Sequence, residues 1–341
     1  MSALQQCRRV VLARRPVGMP VAEDFRVEAA PLRVIRDDEL LIENRLLAID
    51  PAIRGFLDDR PSYLPPVAIG EAVRGMTLGR VVDSRDARFP PGSIVRLLAA
   101  WEEFSIATGQ ALGLEILEPD PGVPLATYMG ALGPSGLTAY IGLHEIGQIE
   151  SGQTVLVSAA AGAVGSVAGQ IAKLRGCRVV GIAGSADKIR LLTTELGFDA
   201  AIDHRAAADL GAAVRAACPN GVDVYFDNVG GPVLDAVLPQ MAERGRVVVC
   251  GMVADYNRQD APQPIHNLWQ LVVKRLTMRG FLTYDHGPAL GPAQQQLRDW
   301  VRSGALRPLE NISRGLETAP AALVRMLSGG TIGKTLVQLA E

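Results

Sequence analysis

What this 341-residue chain lacks narrows its function before any motif is read. Its four cysteines, Cys7, Cys177, Cys218 and Cys250, are widely separated and form no C-x-x-C pair, which argues against a structural zinc cluster. Scattered thiols of this kind fit a reducing cytoplasm. Lys and Arg total 34 against 36 Asp and Glu, a net charge of -2, so no global field points to nucleic acid or an acidic membrane. No basic and aromatic array suggests RNA or DNA. No apolar run is long enough to span a bilayer, and Met1 to Val10 lacks the apolar core of a secretory signal. Only four histidines occur, His144, His204, His266 and His286, none with a cysteine cluster, so no metal site is expected. Internal repeats, low-complexity tracts and heptads are missing too.

What is present describes a globular protein: 48% hydrophobic and 21% charged residues over a length that suits two domains. Up to about residue 125, short β-like runs (Arg8 to Ala13, Glu39 to Ala48, Leu78 to Val82, Ser93 to Ala100) alternate with Pro- and Gly-rich turns, the texture of an irregular β domain. A helix is expected over Pro134 to Ile146. Strands at Thr154 to Val157, Val179 to Ala183, Ala200 to Ile202, Val222 to Asp227 and Arg246 to Gly251 then alternate with helical stretches. That order specifies an α/β domain with a doubly wound parallel sheet. Gly287, Pro288, Gly291 and Pro292 read as terminators ahead of a helix over Pro292 to Ser303, and the chain from Leu306 returns to the first domain. The expected division is 1–125 with 305–341, and 126–304.

The most informative stretch is Thr154 to Ser166, where a β-rich run meets Ser158-Ala159-Ala160-Ala161-Gly162-Ala163-Val164-Gly165 and a helix former. It reads as a phosphate cradle. Glycines let the backbone approach a pyrophosphate, and the N–H groups at the helix start, Gly162 to Gly165, carry positive partial charge. Aligned on G-x-G-x-x-G, alanine replaces the first glycine at Ala160. In NAD-preferring versions a carboxylate near the end of the second strand bonds the adenosine ribose. Here that place holds Ala183-Gly184-Ser185, followed by Lys188 and Arg190. A hydroxyl and a lysine suit a 2'-phosphate, so NADP(H) is favoured; the alternative is that Lys188 and Arg190 only solvate a helix turn. Asn228 ends a strand, where its amide either bonds ribose or caps the turn.

Several separated motifs together resemble one family. Asp50-Pro51-x-x-Arg54-Gly55, Gly136-Leu137-Thr138-Ala139-Tyr140, the cradle, Phe226-Asp227-Asn228-Val229-Gly230-Gly231 and Ile332-Gly333-Lys334-Thr335 are similar to the zinc-independent medium-chain dehydrogenase/reductases, most of all the prostaglandin reductase and alkenal double-bond reductase branch. The resemblance implies a GroES-like β domain beside a Rossmann doubly wound parallel sheet, NADP(H) in the cleft between them, and a homodimer. It implies reduction of the carbon-carbon double bond of α,β-unsaturated ketones or aldehydes by hydride transfer to the β-carbon. It further implies that Asn228 bonds the cofactor ribose and that the loop Cys250-Gly251-Met252 faces the nicotinamide. Tyr256 would contact the nicotinamide ribose and position a proton, Phe281-Leu282-Thr283 would add backbone contacts, and Thr138 would bond the carboxamide.

The sequence departs from the family in three places, and at a fourth it lacks a motif of the zinc-dependent relatives. Asp203-His204-Arg205 replaces the usual Asn-Tyr-Lys at the adenosine phosphate, leaving His204 as the candidate contact or an exposed turn residue. Thr331 replaces an asparagine, Ala52 replaces a tyrosine on the substrate side, and Ile69-Gly70-Glu71-Ala72 lacks the histidine of the zinc-dependent Gly-His-Glu motif. Quinone reduction and a non-catalytic NADPH sensor stand as alternative functions.

Overall fold

Aliphatic and β-branched runs between Gly and Pro turns build most of the strands of the first 129 residues. The computed structural model describes residues 6–60, 62–258 and 262–340; Met1–Gln5, read above for a signal, lie outside them. In chain order the elements are β1 (Gln6–Leu12), β2 (Phe25–Pro31), β3 (Glu39–Ile49), α1 (Ala52–Phe56), β4 (Arg74–Ser84), β5 (Ile94–Ala100), β6 (Phe104–Thr108), β7 (Glu115–Leu117) and α2 (Pro134–Ile141). Next come β8 (Thr154–Val157), α3 (Ala163–Leu174), β9 (Arg178–Ala183), α4 (Ala186–Arg190), β10 (Ala200–Asp203), α5 (Leu210–Ala217), β11 (Val222–Asp227), α6 (Gly231–Val237) and β12 (Met241–Val249). The last are α7 (Gln270–Val273), β13 (Thr277–Gly280), α8 (Gly287–Arg302), β14 (Glu310–Arg314), α9 (Ala319–Leu327) and β15 (Lys334–Gln338). The chain divides into two units, one of Met1–Met129, Asn311–Thr331 and Thr335–Glu341, the other of Gly130–Glu310 and Ile332–Lys334.

The first unit is the GroES-like domain. Its main sheet runs β14-β15-β3-β4-β5-β7 with β6 also on β3, and β1 and β2 form a separate antiparallel pair. Trp101, Leu47, Ile53, Leu323 and Val337 are buried in one core beneath α1 and α9. Arg54 is buried as well; its guanidinium donates to the Gly18 carbonyl and to Asp58.

The second unit is a Rossmann fold. Six strands lie in the order β10-β9-β8-β11-β12-β13, every pair parallel. Chain order therefore reverses between β8 and β11, and in such sheets ligands bind outside the carboxyl ends of the strands at that reversal. Residues 155–157 of β8 and 222, 224–226 of β11 are fully buried, as strands covered on both faces must be. Gly169 lets the Phe198 ring seat on α3: a Cβ there would lie 1.9 Å from the ring.

The helix expected over Pro134 to Ile146 is present with those bounds, α-helical to Ile141 and π-helical over Gly142–Ile146. Two expectations are corrected. Strand β12 starts at Met241, not Arg246, because Met241 already pairs with Val222 across a register shift that the polar Glu243-Arg244 sequence hides. Gly287, Pro288, Gly291 and Pro292 do not terminate structure but lie inside α8. Pro288 falls in the first turn, where no N–H is needed, and Ala293 and Leu297 anchor the helix.

Candidate functional site

Sixteen of the seventeen predicted contact residues lie in the second unit, fifteen of them in the segments that follow β8 to β13 and Thr138 on α2. At the end of β8, Ala159 sits in the left-handed region with φ 47°, and Gly162 is the N-cap of α3. A Cβ at Gly165 would lie 2.4 Å from the Ala159 carbonyl oxygen, so the turn closes only on glycine. Gly162 meets nothing but that same oxygen, at 3.1 Å, leaving its face open to a ligand. Ala163 and Val164 occupy the first turn of a twelve-residue helix, whose N–H groups have no carbonyl a turn earlier. The segment Ile332–Lys334 belongs to this unit: Gly333 N–H donates to Ala161 O at 2.9 Å and pairs with Gly162. This lining of the cradle went unread, since the sequence places it 170 residues away in what reads as another domain.

At the ends of β9 and β10 positive groups converge. A Cβ on Gly184 would stand 2.8 Å from His204 Nε2 and 3.1 Å from Arg205 Nε. Burial, followed by the Arg205 charge, pushes the Lys188 ammonium below its ordinary pKa. His204 is lowered by burial and then by Arg205, with a smaller push from Lys188 and an opposing pull from Asp203. The Asp203 carboxylate accepts the Arg205 backbone N–H at 2.9 Å. Ser185 is partly committed as well: its hydroxyl caps α4 by accepting from Lys188 N at 3.4 Å. Lys188 and Arg205, with the His204 imidazole beside them and no acid at the end of β9, form a corner whose chemistry suits a dianion.

Across the reversal, Asn228 is held rather than free. Its amide donates to Ser158 O at 2.7 Å and its backbone N–H to Ser158 Oγ at 2.9 Å, so the oxygen is the side-chain atom that could still accept. Cys250 and Gly251 both donate backbone N–H groups to Asp227 O, fixing the loop after β12. The Tyr256 hydroxyl accepts weakly from Met252 N at 3.4 Å and keeps its proton, since burial raises its pKa. Burial, reinforced by Asp227, pushes the Cys250 thiol up to about 12. Met252 is exposed and its side chain packs on Gly230. Thr138 is half-buried on α2, and Phe281-Leu282-Thr283 follow β13 directly, the Phe281 ring held against Gly142.

Thr331 is the exception. It belongs to the first unit, where with Asn311, Ser313, Thr318, Arg325 and Thr335 it lines a cavity of about 170 Å³. Among the described residues no three His, Cys, Asp or Glu side chains gather as metal ligands, and no helix is long and apolar enough to cross a membrane. Sequence reasoning missed Ser158 and Asp227, both fully buried between the two central strands. The signal lay inside motifs already singled out.

Comparison with known proteins agrees with this geometry. The family model described as the N-terminal domain of oxidoreductase matches residues 8–114, and the zinc-binding dehydrogenase model matches 163–298. The NADPH-dependent curcumin reductase of Escherichia coli is 40% identical over 98% of both chains. The NADP(+)-dependent 2-alkenal reductase of Nicotiana tabacum is 38% identical, again over 98% of both. Among solved structures, CurA from Vibrio vulnificus in complex with NADPH superposes with a TM-score of 0.92 at 39% identity, covering 98% of this chain and 99% of that one. The cradle, the parallel strand order and these full-length likenesses mean that the chain belongs to the medium-chain dehydrogenase/reductases, in the branch of the prostaglandin reductases and alkenal double-bond reductases.

Proposed function

We infer that the protein is an NADPH-dependent reductase that saturates the carbon-carbon double bond of α,β-unsaturated ketones or aldehydes. The residues fit the dinucleotide: the Gly162–Gly165 turn for the pyrophosphate, Lys188 with His204 and Arg205 for the 2'-phosphate, and Asn228 Oδ1 for ribose. When bound, the cofactor supplies a hydride to the β-carbon of the conjugated carbonyl. The observation that carries the reading is that the Tyr256 hydroxyl, in the loop after β12, accepts from Met252 N at 3.4 Å and so has its own proton left to donate. Such a loop offers a donor. Charge developing on a carbonyl oxygen calls for donors, and Tyr256 is the phenol in that loop whose proton no described hydrogen bond consumes. The 2-alkenal and curcumin reductase relatives support the same substrate class.

A homodimer belongs to this reading. Strand β13 ends the sheet order, and beside it Leu268, Trp269, Val272 and Val273 are 48%, 68%, 58% and 47% exposed. An exposed apolar cluster on the helical segment that leads into the edge strand suits a second copy of the chain. The test of function is NADPH consumption with an enone, with a quinone and with neither. Turnover on the enone is expected; preference for the quinone, or binding without turnover, refutes the reading.

A further inference from the structure

We propose that Asp227 and Ser158 are positioning residues that brace the two halves of the dinucleotide site across the strand reversal. The inference rests on the cofactor reading above and concerns residues that need not touch the cofactor. Asp227 is the last residue of β11 and fully buried. Its Oδ1 accepts four donors: Tyr225 Oη at 2.8 Å, Val229 N at 2.9 Å, Gly230 N at 3.0 Å and Ser158 Oγ at 3.0 Å. Its Oδ2 is buried without a hydrogen-bond partner. A carboxyl loaded so unevenly is fixed in orientation by one oxygen.

The Ser158 hydroxyl carries that fixation from strand to strand. It donates to Asp227 on β11 while accepting the Asn228 backbone N–H, and its own carbonyl takes the Asn228 amide. Ser158 is the residue directly before Ala159, whose left-handed backbone starts the phosphate turn. One hydroxyl and one carboxyl oxygen therefore set the turn that faces the pyrophosphate and the amide that faces the ribose. The Asp227 carbonyl adds the third loop by accepting from Cys250 and Gly251. All these groups serve the part of the ligand common to NADPH and NADH, and none lies at the Lys188 corner.

That separation supplies the test. Equilibrium binding of NADPH and of NADH is measured for the intact protein and for Ser158→Ala, Asp227→Ala and Asp227→Asn. Ser158→Ala weakens both dinucleotides by the same factor, tenfold or more, since a buried hydrogen bond to a charged or strongly polar group is lost. Where Asp227→Ala folds, it does likewise, and amide exchange at Val229 and Gly230 accelerates. Asp227→Asn, whose amide oxygen accepts the same donors, restores both affinities to within about threefold. Binding by Ser158→Ala within threefold of the unaltered protein, a loss with NADPH alone, or Asp227→Asn no tighter than Asp227→Ala would overturn the brace. Failure of the unaltered protein to bind either dinucleotide would instead defeat the cofactor reading.

Discussion

Replacing Lys188 by alanine should separate the two dinucleotides. The ammonium is about half-buried and already disfavoured in the free protein, first by desolvation and then by Arg205. A 2'-phosphate opposes both effects, because it brings negative charge beside the ammonium. Charge-assisted hydrogen bonds contribute roughly 1.5–3 kcal/mol, and about 1.4 kcal/mol is tenfold in affinity, so NADPH should bind on the order of 10- to 100-fold more weakly. NADH, without the phosphate, should change less than about twofold by the same conversion. The folded chain carries a lysine whose pKa is depressed, so its charge opposes folding at pH 7; thermal stability should hold or rise as cofactor affinity falls. Fluorescence titration with both dinucleotides and a melting curve suffice. Equal losses for NADPH and NADH, or a lowered melting temperature with unchanged affinities, would refute the electrostatic argument.

His204 is depressed below its ordinary 6.5 and so is neutral above neutrality in the free protein. A bound phosphate favours its protonation, so NADPH affinity should tighten as pH falls from about 8 to 6.5 while NADH affinity stays flat, and His204→Asn should flatten the first curve. Tyr256→Phe should lower kcat for an enone roughly 10²-fold or more with little effect on NADPH binding, the range for a lost proton donor; stopped-flow absorbance checks it. Ala159→Gly removes a left-handed penalty of roughly 1–2 kcal/mol against an unfolded-chain entropy cost of roughly 0.4–1 kcal/mol, so stability in urea should rise slightly. Trp269→Glu should shift sedimentation from dimer to monomer; an unchanged profile removes that face as the interface.

The Rossmann sheet was largely legible in the sequence because its signals are local. Aliphatic runs ended by small-residue turns mark β8, β9 and β11, and Val222–Asp227 has the bounds expected of it. The beginning of β12 was hidden because its pairing depends on a neighbour's register, not on its own polar residues. Residues within α8 misled because glycine and proline break helices on average, yet the first turn tolerates proline. In the site, motifs singled out Asn228 and Gly162 but not Ser158 or Asp227. Those act through each other across 69 positions, a proximity that only the parallel pairing of β8 and β11 creates.

The state of the thiols bears on survival in the chemistry proposed. Conjugated carbonyls alkylate thiolates, and each cysteine here is shifted away from that form: Cys7 and Cys177 upward by burial, Cys218 to about 11, Cys250 to about 12. At pH 7.4 a thiol shifted upward is ionised far less often than the roughly one in ten of an ordinary cysteine. An enzyme acting on Michael acceptors, as proposed above, would thus offer them little thiolate. Intact-mass spectra after prolonged turnover should show an unadducted chain.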